Sequence, residues 1–276
     1  MGKVDPRYFK TIEAIFFDNY KPGDNSVAFT TRELRERPDT LGFERLSNPP
    51  DIVATFRSRE ELPKSIRDAA PSGKVWVIAG AGRGHYCFEL IDAGTEDIRP
   101  TPGMAEIKIP DATPELINMY AFKAEQSLLA KVRYNRLVDI FTGITCYSLQ
   151  SHLQTSVPKR GQVESDEVYL GLDASGAHYV FPMEAKGGKD KISVIQIENG
   201  LALCQTRFPN AICRPLAAQF IDDVIALFEF KPKPGASRPY EVVRNGETHF
   251  RLVPKDQLSD AELHSYREDA IRKGNH

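Results

Sequence analysis

Two acidic residues and a lysine near the middle of the chain have a spacing that could support hydrolytic chemistry. Asp166 lies in an alternating stretch before the segment Asp173-Ala174-Ser175-Gly176, and Glu184 and Lys186 lie in the apolar stretch after it. The segment between them has the composition of a turn. Two strands joined by so short a turn form an antiparallel hairpin.

The register of this hairpin decides which side chains share a face. A turn centred at residue 175 pairs Asp166 with Glu184 and Glu164 with Lys186, and opposed residues have Cβ atoms about 4.5–5.5 Å apart. Carboxylates this close repel each other, and a divalent cation such as Mg²⁺, with its octahedral shell of oxygen ligands, would offset the repulsion. Lys186 would then place a positive charge beside a metal-bound water and the phosphate that this water attacks.

A glutamine in the next predicted element extends the pattern. Asp166 is followed by Glu184-Ala185-Lys186 across the hairpin and then by a helix that begins near Ile192 and carries Gln196. This order resembles the PD-(D/E)XK nuclease superfamily, and the flanking sequence looks like its restriction-endonuclease and resolvase-type members. The resemblance covers roughly residues 114–230.

The resemblance implies a role for each of these residues. Asp166, Glu184 and the carbonyl of Ala185 would hold Mg²⁺, for which Mn²⁺ could substitute. Lys186 would orient or deprotonate the attacking water, and Gln196 would brace Lys186 or contact the backbone. The implied fold is α+β or α/β, with a restriction-endonuclease-like mixed sheet flanked by helices.

Other acidic residues compete for a place in this site. Glu167 has the wrong parity to share a face with Asp166, whereas Glu164 lies opposite Lys186 and is a candidate second acid or lysine partner. Family members often add an acid from the preceding helix, and Glu125 is the candidate for that role here.

A second Glu-X-Lys triplet tests how specific the pattern is. Such a triplet is expected about once in a chain of ordinary composition and this length, and Glu229-Phe230-Lys231 is also present. It lacks an acidic partner across a hairpin, and Pro232 is expected to end its strand at once. The first triplet is therefore the preferred one.

The positions of proline and glycine divide the chain into three predicted segments. Residues 1–103 read as helices followed by a hairpin, which is the order of a winged-helix-like, DNA-contacting domain, and Arg99–Gly103 forms a connector. Residues 104–235 form the nuclease core, and 236–276 a carboxy-terminal hairpin and helix. The predicted elements are helices at 8–17, 30–37, 58–69, 114–141 and 192–207, and strands at 75–78, 85–90, 163–170 and 177–185.

Charge gives no global reason to expect a nucleic-acid partner, since 36 Lys and Arg residues face 38 Asp and Glu residues. A local basic concentration nevertheless flanks the hairpin. Its predicted DNA-binding residues are Lys159, Arg160, Lys189 and Lys191. Phosphate contacts of this kind make DNA binding sensitive to salt.

Several function classes follow from these patterns. The first is a Mg²⁺-dependent DNA endonuclease of restriction or defence type, which could be a homodimer because cutting both strands usually requires two sites. The second is a structure-specific or repair nuclease on the same core, and the third is a catalytically inactive DNA-binding protein. No apolar stretch reaches the roughly 20 residues of a membrane span, and no signal peptide is apparent, so a cytoplasmic protein without a membrane partner is expected.

Overall fold

A computed structural model describes residues 4–120, 125–188 and 190–274 and shows a mixed α+β chain. The amino-terminal part begins with helix α1, which Asp5 caps through a hydrogen bond from the Arg7 amide. Its elements are α1 (Pro6–Asn19), β1 (Ser26–Thr30), α2 (Thr31–Thr40), α3 (Pro50–Ser58), α4 (Lys64–Asp68), β2 (Lys74–Gly82) and β3 (His85–Asp92).

These elements enclose a core of their own. The strands form an antiparallel sheet in the order β1–β3–β2. Ile12, Ile15 and Phe16 of α1 are buried in one cluster with Trp76 and Phe88 of the sheet. The aromatic rings of Phe16, Trp76 and Phe88 meet edge to face, a favourable packing of aromatic side chains.

The predicted third helix at 58–69 is wrong. The structure has α3 at Pro50–Ser58 and α4 at Lys64–Asp68. Pro63 separates them, because proline disfavours helical backbone at the preceding residue and lacks an amide donor. Strand β1 lies between α1 and α2, where the sequence analysis placed no element.

A larger mixed sheet occupies the rest of the chain. Its strand order is β5–β13–β12–β11–β8–β7–β6, with β10 also paired to β8, and these are eight strands among the described residues. The elements after β3 are β4 (Asp97–Ile98), β5 (Glu106–Pro110), α5 (Glu115–Tyr120), α6 (Glu125–Tyr134), α7 (Leu137–Thr142), β6 (Thr145–Val157), β7 (Gly161–Leu172), β8 (His178–Gly187), β9 (Ile192–Ser193), α8 (Val194–Arg207), β10 (Ile212–Cys213), β11 (Leu216–Ile221), β12 (Val224–Pro232), β13 (Val242–Val253) and α9 (Asp260–Gly274).

Helices cover the two faces of this sheet. On one face, Leu129 of α6 belongs to a buried cluster with Met183 and Ala185 of β8. On the other face, Ala202 of α8 belongs to a cluster with Val180 of β8. Because side chains alternate along a strand, even-numbered residues of β8 face α8 and odd-numbered residues face α6.

The long helix predicted at 114–141 is interrupted in the structure. Helix α6 ends at Tyr134 and α7 begins at Leu137, and Arg136 between them has a left-handed backbone with φ of 50°. A left-handed residue cannot continue a right-handed helix. The helix predicted at 192–207 is confirmed as α8, and the mixed sheet predicted for the core is present.

The carboxy-terminal segment 236–276 contributes to the large sheet. Strand β13 pairs antiparallel with β12 and parallel with β5, so the predicted hairpin is formed with a strand of the core. Helix α9 follows it. No helix in the described parts of the chain is long and apolar enough to cross a membrane.

The amino-terminal part touches the large sheet through two tight backbone contacts. A Cβ atom placed on Gly80 would lie 2.2 Å from the carbonyl oxygen of Arg160, and one on Gly161 would lie 2.9 Å from that of Gly82. The β2–β3 hairpin therefore packs directly on the turn between β6 and β7. Arg238 adds an ion pair with Glu89 of β3.

Candidate active site

The β7–β8 hairpin has the register that the sequence predicts. Its paired residues run from Glu167 opposite Met183 to Leu172 opposite His178, and Asp166 and Glu184 lie one residue beyond the first of these pairs. Asp173 fixes the turn, because its carboxylate accepts hydrogen bonds from the Ser175 hydroxyl and amide and from the Ala177 amide. These bonds, the Ser175 hydroxyl first, lower the pKa of Asp173 to about 2.

Asp166 of β7 contacts β8 at the centre of the candidate site. Its Oδ2 accepts a hydrogen bond from the Ala185 amide at 2.9 Å, and the Lys186 ammonium lies 3.9 Å from the same oxygen. Both side chains are 15% exposed. The site is therefore largely enclosed, and charges interact more strongly there than in bulk water.

Glu184 is oriented from helix α8. Gln196 donates a hydrogen bond of 2.8 Å to its Oε2, and the side-chain Oε1 of Gln196 accepts one from the Ser193 amide. Gln196 is thus the third helical residue of a capping box. It contacts the backbone, which is one of the two roles that the resemblance implies, and it also donates to Glu184.

The competing acids have other partners. Glu167 is fully buried on the α6 face, where it accepts hydrogen bonds from Arg133 and Ser151, at 3.0 and 2.5 Å, and from Ser148. The alternation of side chains along β7 predicts this face for Glu167. Glu164 instead accepts hydrogen bonds from His152 and Gln154 of β6, so its described contacts are with the strand on the far side from Lys186. The side chain of Glu125 lies outside the described residues.

The predicted DNA-binding residues that the structure describes differ in their exposure and partners. Arg160 is 6% exposed and pairs with Glu198, so it is not available to a phosphate, which corrects its assignment. Lys159 is exposed, and Lys191 lies 3.2 Å from Asp97. Lys189 lies outside the described residues.

A buried ionic cluster near α8 is absent from the sequence predictions. Glu198 lies between Arg160 and Arg238, at 3.2 and 2.8 Å, and Arg238 also reaches Glu89. Burial raises the pKa of Glu198, while the two arginines act in the opposite direction. Glu198 is two residues beyond Gln196, so the cluster holds α8 against both the β6–β7 turn and β3. Its members lie far apart in sequence, so no local sequence pattern predicts the cluster.

Three arginines of the amino-terminal part also have partners within the protein. Arg57 donates to the Ile78 carbonyl, and burial lowers the pKa of Arg57 to about 10. Arg59 pairs with Asp51, and Arg67 pairs with Glu61. Residues of α3, α4 and the segment 191–193 line a cleft of about 340 Å³, and its lining includes both acidic and basic side chains.

The donor set of the site suits a hard divalent cation. Asp166 and Glu184 would supply carboxylate oxygens from adjacent strands, and the Ala185 carbonyl and water would complete the shell of Mg²⁺. The described residues contain no group of three or more His, Cys, Asp or Glu side chains that could hold a metal. A cation here would therefore depend on backbone and water oxygens.

We compared the chain with known proteins at three levels. No family model, no curated protein and no solved structure matches it.

Proposed function

We propose that this protein is a Mg²⁺-dependent endodeoxyribonuclease of restriction or defence type, with the active site on the β7–β8 hairpin. One observation carries the proposal: Asp166 of β7 contacts the Glu184-Ala185-Lys186 segment of β8, since its Oδ2 accepts a hydrogen bond from the Ala185 amide and lies 3.9 Å from the Lys186 ammonium. Two acids and a lysine in this arrangement, with a glutamine on the following helix, support the PD-(D/E)XK resemblance and a restriction-endonuclease-like core.

Each side chain has a distinct task in this proposal. Asp166 and Glu184 bind the cation, with Mn²⁺ as a possible substitute, and Gln196 fixes the orientation of Glu184 through its amide. Lys186 orients the attacking water and stabilises the negative charge that develops on the phosphate. A bound Mg²⁺ supplies Lewis acidity and lowers the pKa of a coordinated water.

The path of the DNA follows from the positions of three lysines. Lys186 and Lys191 lie at the carboxyl end of β8 and in the loop after it, and Lys159 lies in the β6–β7 turn, about 20 Å from Asp166 along β7. A duplex that contacts both places would span this length of the sheet. We propose a homodimer, because two such sites are needed to cut both strands.

The amino-terminal part supports a winged-helix-like description. Its strand β1 follows α1, its β2–β3 hairpin follows α2, α3 and α4, and its sheet has the order β1–β3–β2 that is expected for that fold. Its β2–β3 hairpin packs on Gly161, and Arg57 faces inward. We propose that this unit orients the nuclease core and contacts DNA with its remaining exposed surface, which includes Arg83.

Cleavage of supercoiled plasmid and of an RNA of similar length tests the proposal. The wild-type protein should nick plasmid with Mg²⁺ and lose this activity with EDTA, and Glu184→Gln should reduce the rate strongly because it removes a charged metal ligand. Glu164→Gln is the matched control and should cleave like wild type. Plasmid that stays intact with Mg²⁺ and Mn²⁺ would refute the nuclease proposal, and equal rates for Glu184→Gln and wild type would refute the site.

A further inference from the structure

Gln219, on strand β11, lies directly beside the lysine of the candidate site. Strand β11 runs parallel to β8, and the register places Gln219 opposite Lys186 and Ala217 opposite Glu184. Paired residues on neighbouring strands point to the same face, and such strands are about 4.8 Å apart. Lys186 therefore has Asp166 on one neighbouring strand and Gln219 on the other.

The amide of Gln219 has a fixed orientation. Its Nε2 donates a hydrogen bond of 3.0 Å to the Asp190 carbonyl, in the loop that follows β8. This contact identifies the nitrogen and leaves Oε1 as the other end of the amide. Oε1 is buried and has no hydrogen-bond partner among the described residues. A buried acceptor without a donor is unfavourable, and its persistence calls for an explanation.

We infer that Gln219 is a positioning residue for Lys186, and that its Oε1 accepts a hydrogen bond from the lysine ammonium. An ammonium has three donors, so one can go to Asp166 and another to Gln219. In this arrangement the two flanking strands hold Lys186 from opposite sides, and the ammonium is aimed before the phosphate arrives. The inference extends the proposed function, since it assigns a residue outside the Asp166, Glu184, Lys186 and Gln196 set.

Two substitutions separate this role from loop anchoring. Gln219→Leu removes both the acceptor and the donor, whereas Gln219→Glu keeps an acceptor for Lys186 and loses the hydrogen bond to Asp190. We expect Gln219→Leu to lower kcat on the order of 10- to 100-fold, the usual effect of losing an orienting partner, with KM for DNA nearly unchanged. Gln219→Glu should restore most of the kcat. Gln162→Leu, at an exposed position of β7, is the matched control and should behave as wild type.

A measurement that needs no cleavage makes the inference independent of the proposed function. In protein labelled with ¹⁵N-lysine, the ammonium signal that disappears in Lys186→Arg reports on Lys186. Its hydrogen exchange should be slow in wild type and in Gln219→Glu, and fast in folded Gln219→Leu. The inference is overturned if Gln219→Leu leaves the exchange and kcat unchanged, or if Gln219→Glu is as defective as Gln219→Leu. A wild-type protein that does not cleave DNA overturns the nuclease proposal alone, because ammonium exchange still decides the role of Gln219.

Discussion

Two Glu-X-Lys triplets lie in one sheet, and their surroundings differ. Glu184 and Glu229 are both buried, with 5% and 6% exposure. Glu229 on β12 accepts two hydrogen bonds from the guanidinium of Arg214 and one from Asn245, and the partners of Glu184 on β8 include the neutral amide of Gln196. Hydrogen bonds from a bidentate arginine to a carboxylate are stronger than one from a neutral amide.

The lysines of the two triplets also differ in their surroundings. Lys186 lies 3.9 Å from Asp166 and is mostly enclosed, and Lys231 is exposed near the end of β12. The triplet alone therefore does not specify a catalytic group. The neighbouring strands and helices decide, because they set which charge each carboxylate meets.

The largest expected effect tests the lysines directly. Lys186→Ala should reduce cleavage by a factor on the order of 10² to 10³, about 2.7 to 4 kcal/mol, since a preorganised charge beside the reacting phosphate is lost. Lys231→Ala should leave the rate unchanged. Cleavage rates of plasmid under identical Mg²⁺ and salt conditions measure both, and a loss confined to Lys231→Ala would reverse the assignment of the two triplets.

The second effect concerns the partners of the two glutamates. Arg214→Met should lower the free energy of unfolding by about 2 to 3 kcal/mol, because Glu229 stays buried without its cation; the loss falls below the 3–5 kcal/mol of a fully buried pair since Arg214 is partly exposed. Gln196→Met should cost about 1 kcal/mol, the usual value of a neutral hydrogen bond. Urea unfolding curves compare the two, and equal losses would contradict the expectation that the arginine pair contributes more to stability than the amide hydrogen bond.

The third effect concerns metal affinity. Asp166→Asn and Glu184→Gln should each weaken Mg²⁺ binding about tenfold or more, because each removes a charged hard ligand. Calorimetric titration of the full chain with Mg²⁺ and with Mn²⁺ measures this. Glu229→Gln should bind as wild type does, and a common affinity for all of these proteins would place the cation elsewhere.

The smallest effect is on the turn that aligns Asp166 with Glu184. The pKa of Asp173 is lowered to about 2 in the folded protein, so its contribution to stability is present above its ordinary pKa near 3.8 and is lost as the pH falls toward 2. Asp173→Asn should therefore show a smaller loss of thermal stability between pH 5 and pH 2 than wild type. Melting curves across this range provide the measurement, and parallel pH dependences would argue against the turn as the source.

Sequence reasoning succeeded where the determining contacts are local. The Asp173 turn lies between the strands that it joins, and the parity of Asp166, Glu167 and Glu184 follows from it. Gln196 is three residues from the cap at Ser193 that positions it. These relations extend over a few residues, so the pattern of the chain contains them.

The remainder depends on contacts between distant segments. The sequence around Arg160 is typical of a basic surface residue. Its burial depends on Glu198 and Arg238, which are distant in sequence. Gln219 reaches Lys186 only through a parallel pairing that spans helix α8. The break at Arg136 depends on a left-handed backbone at a residue that has no strong preference for it. Periodicity and motif spacing do not encode such relations.

The close approach of Gly80 to Arg160 has a consequence for genetic screens. Even an alanine at Gly80 would place a methyl group 2.2 Å from a backbone oxygen, and the same applies to Gly161, whose φ of 83° is also unfavourable for other residues. A selection for inactive alleles should therefore recover substitutions at these two glycines as often as at Asp166. Protein abundance in the cell separates the classes, since the glycine alleles should be degraded and the aspartate alleles should accumulate as intact, inactive chains.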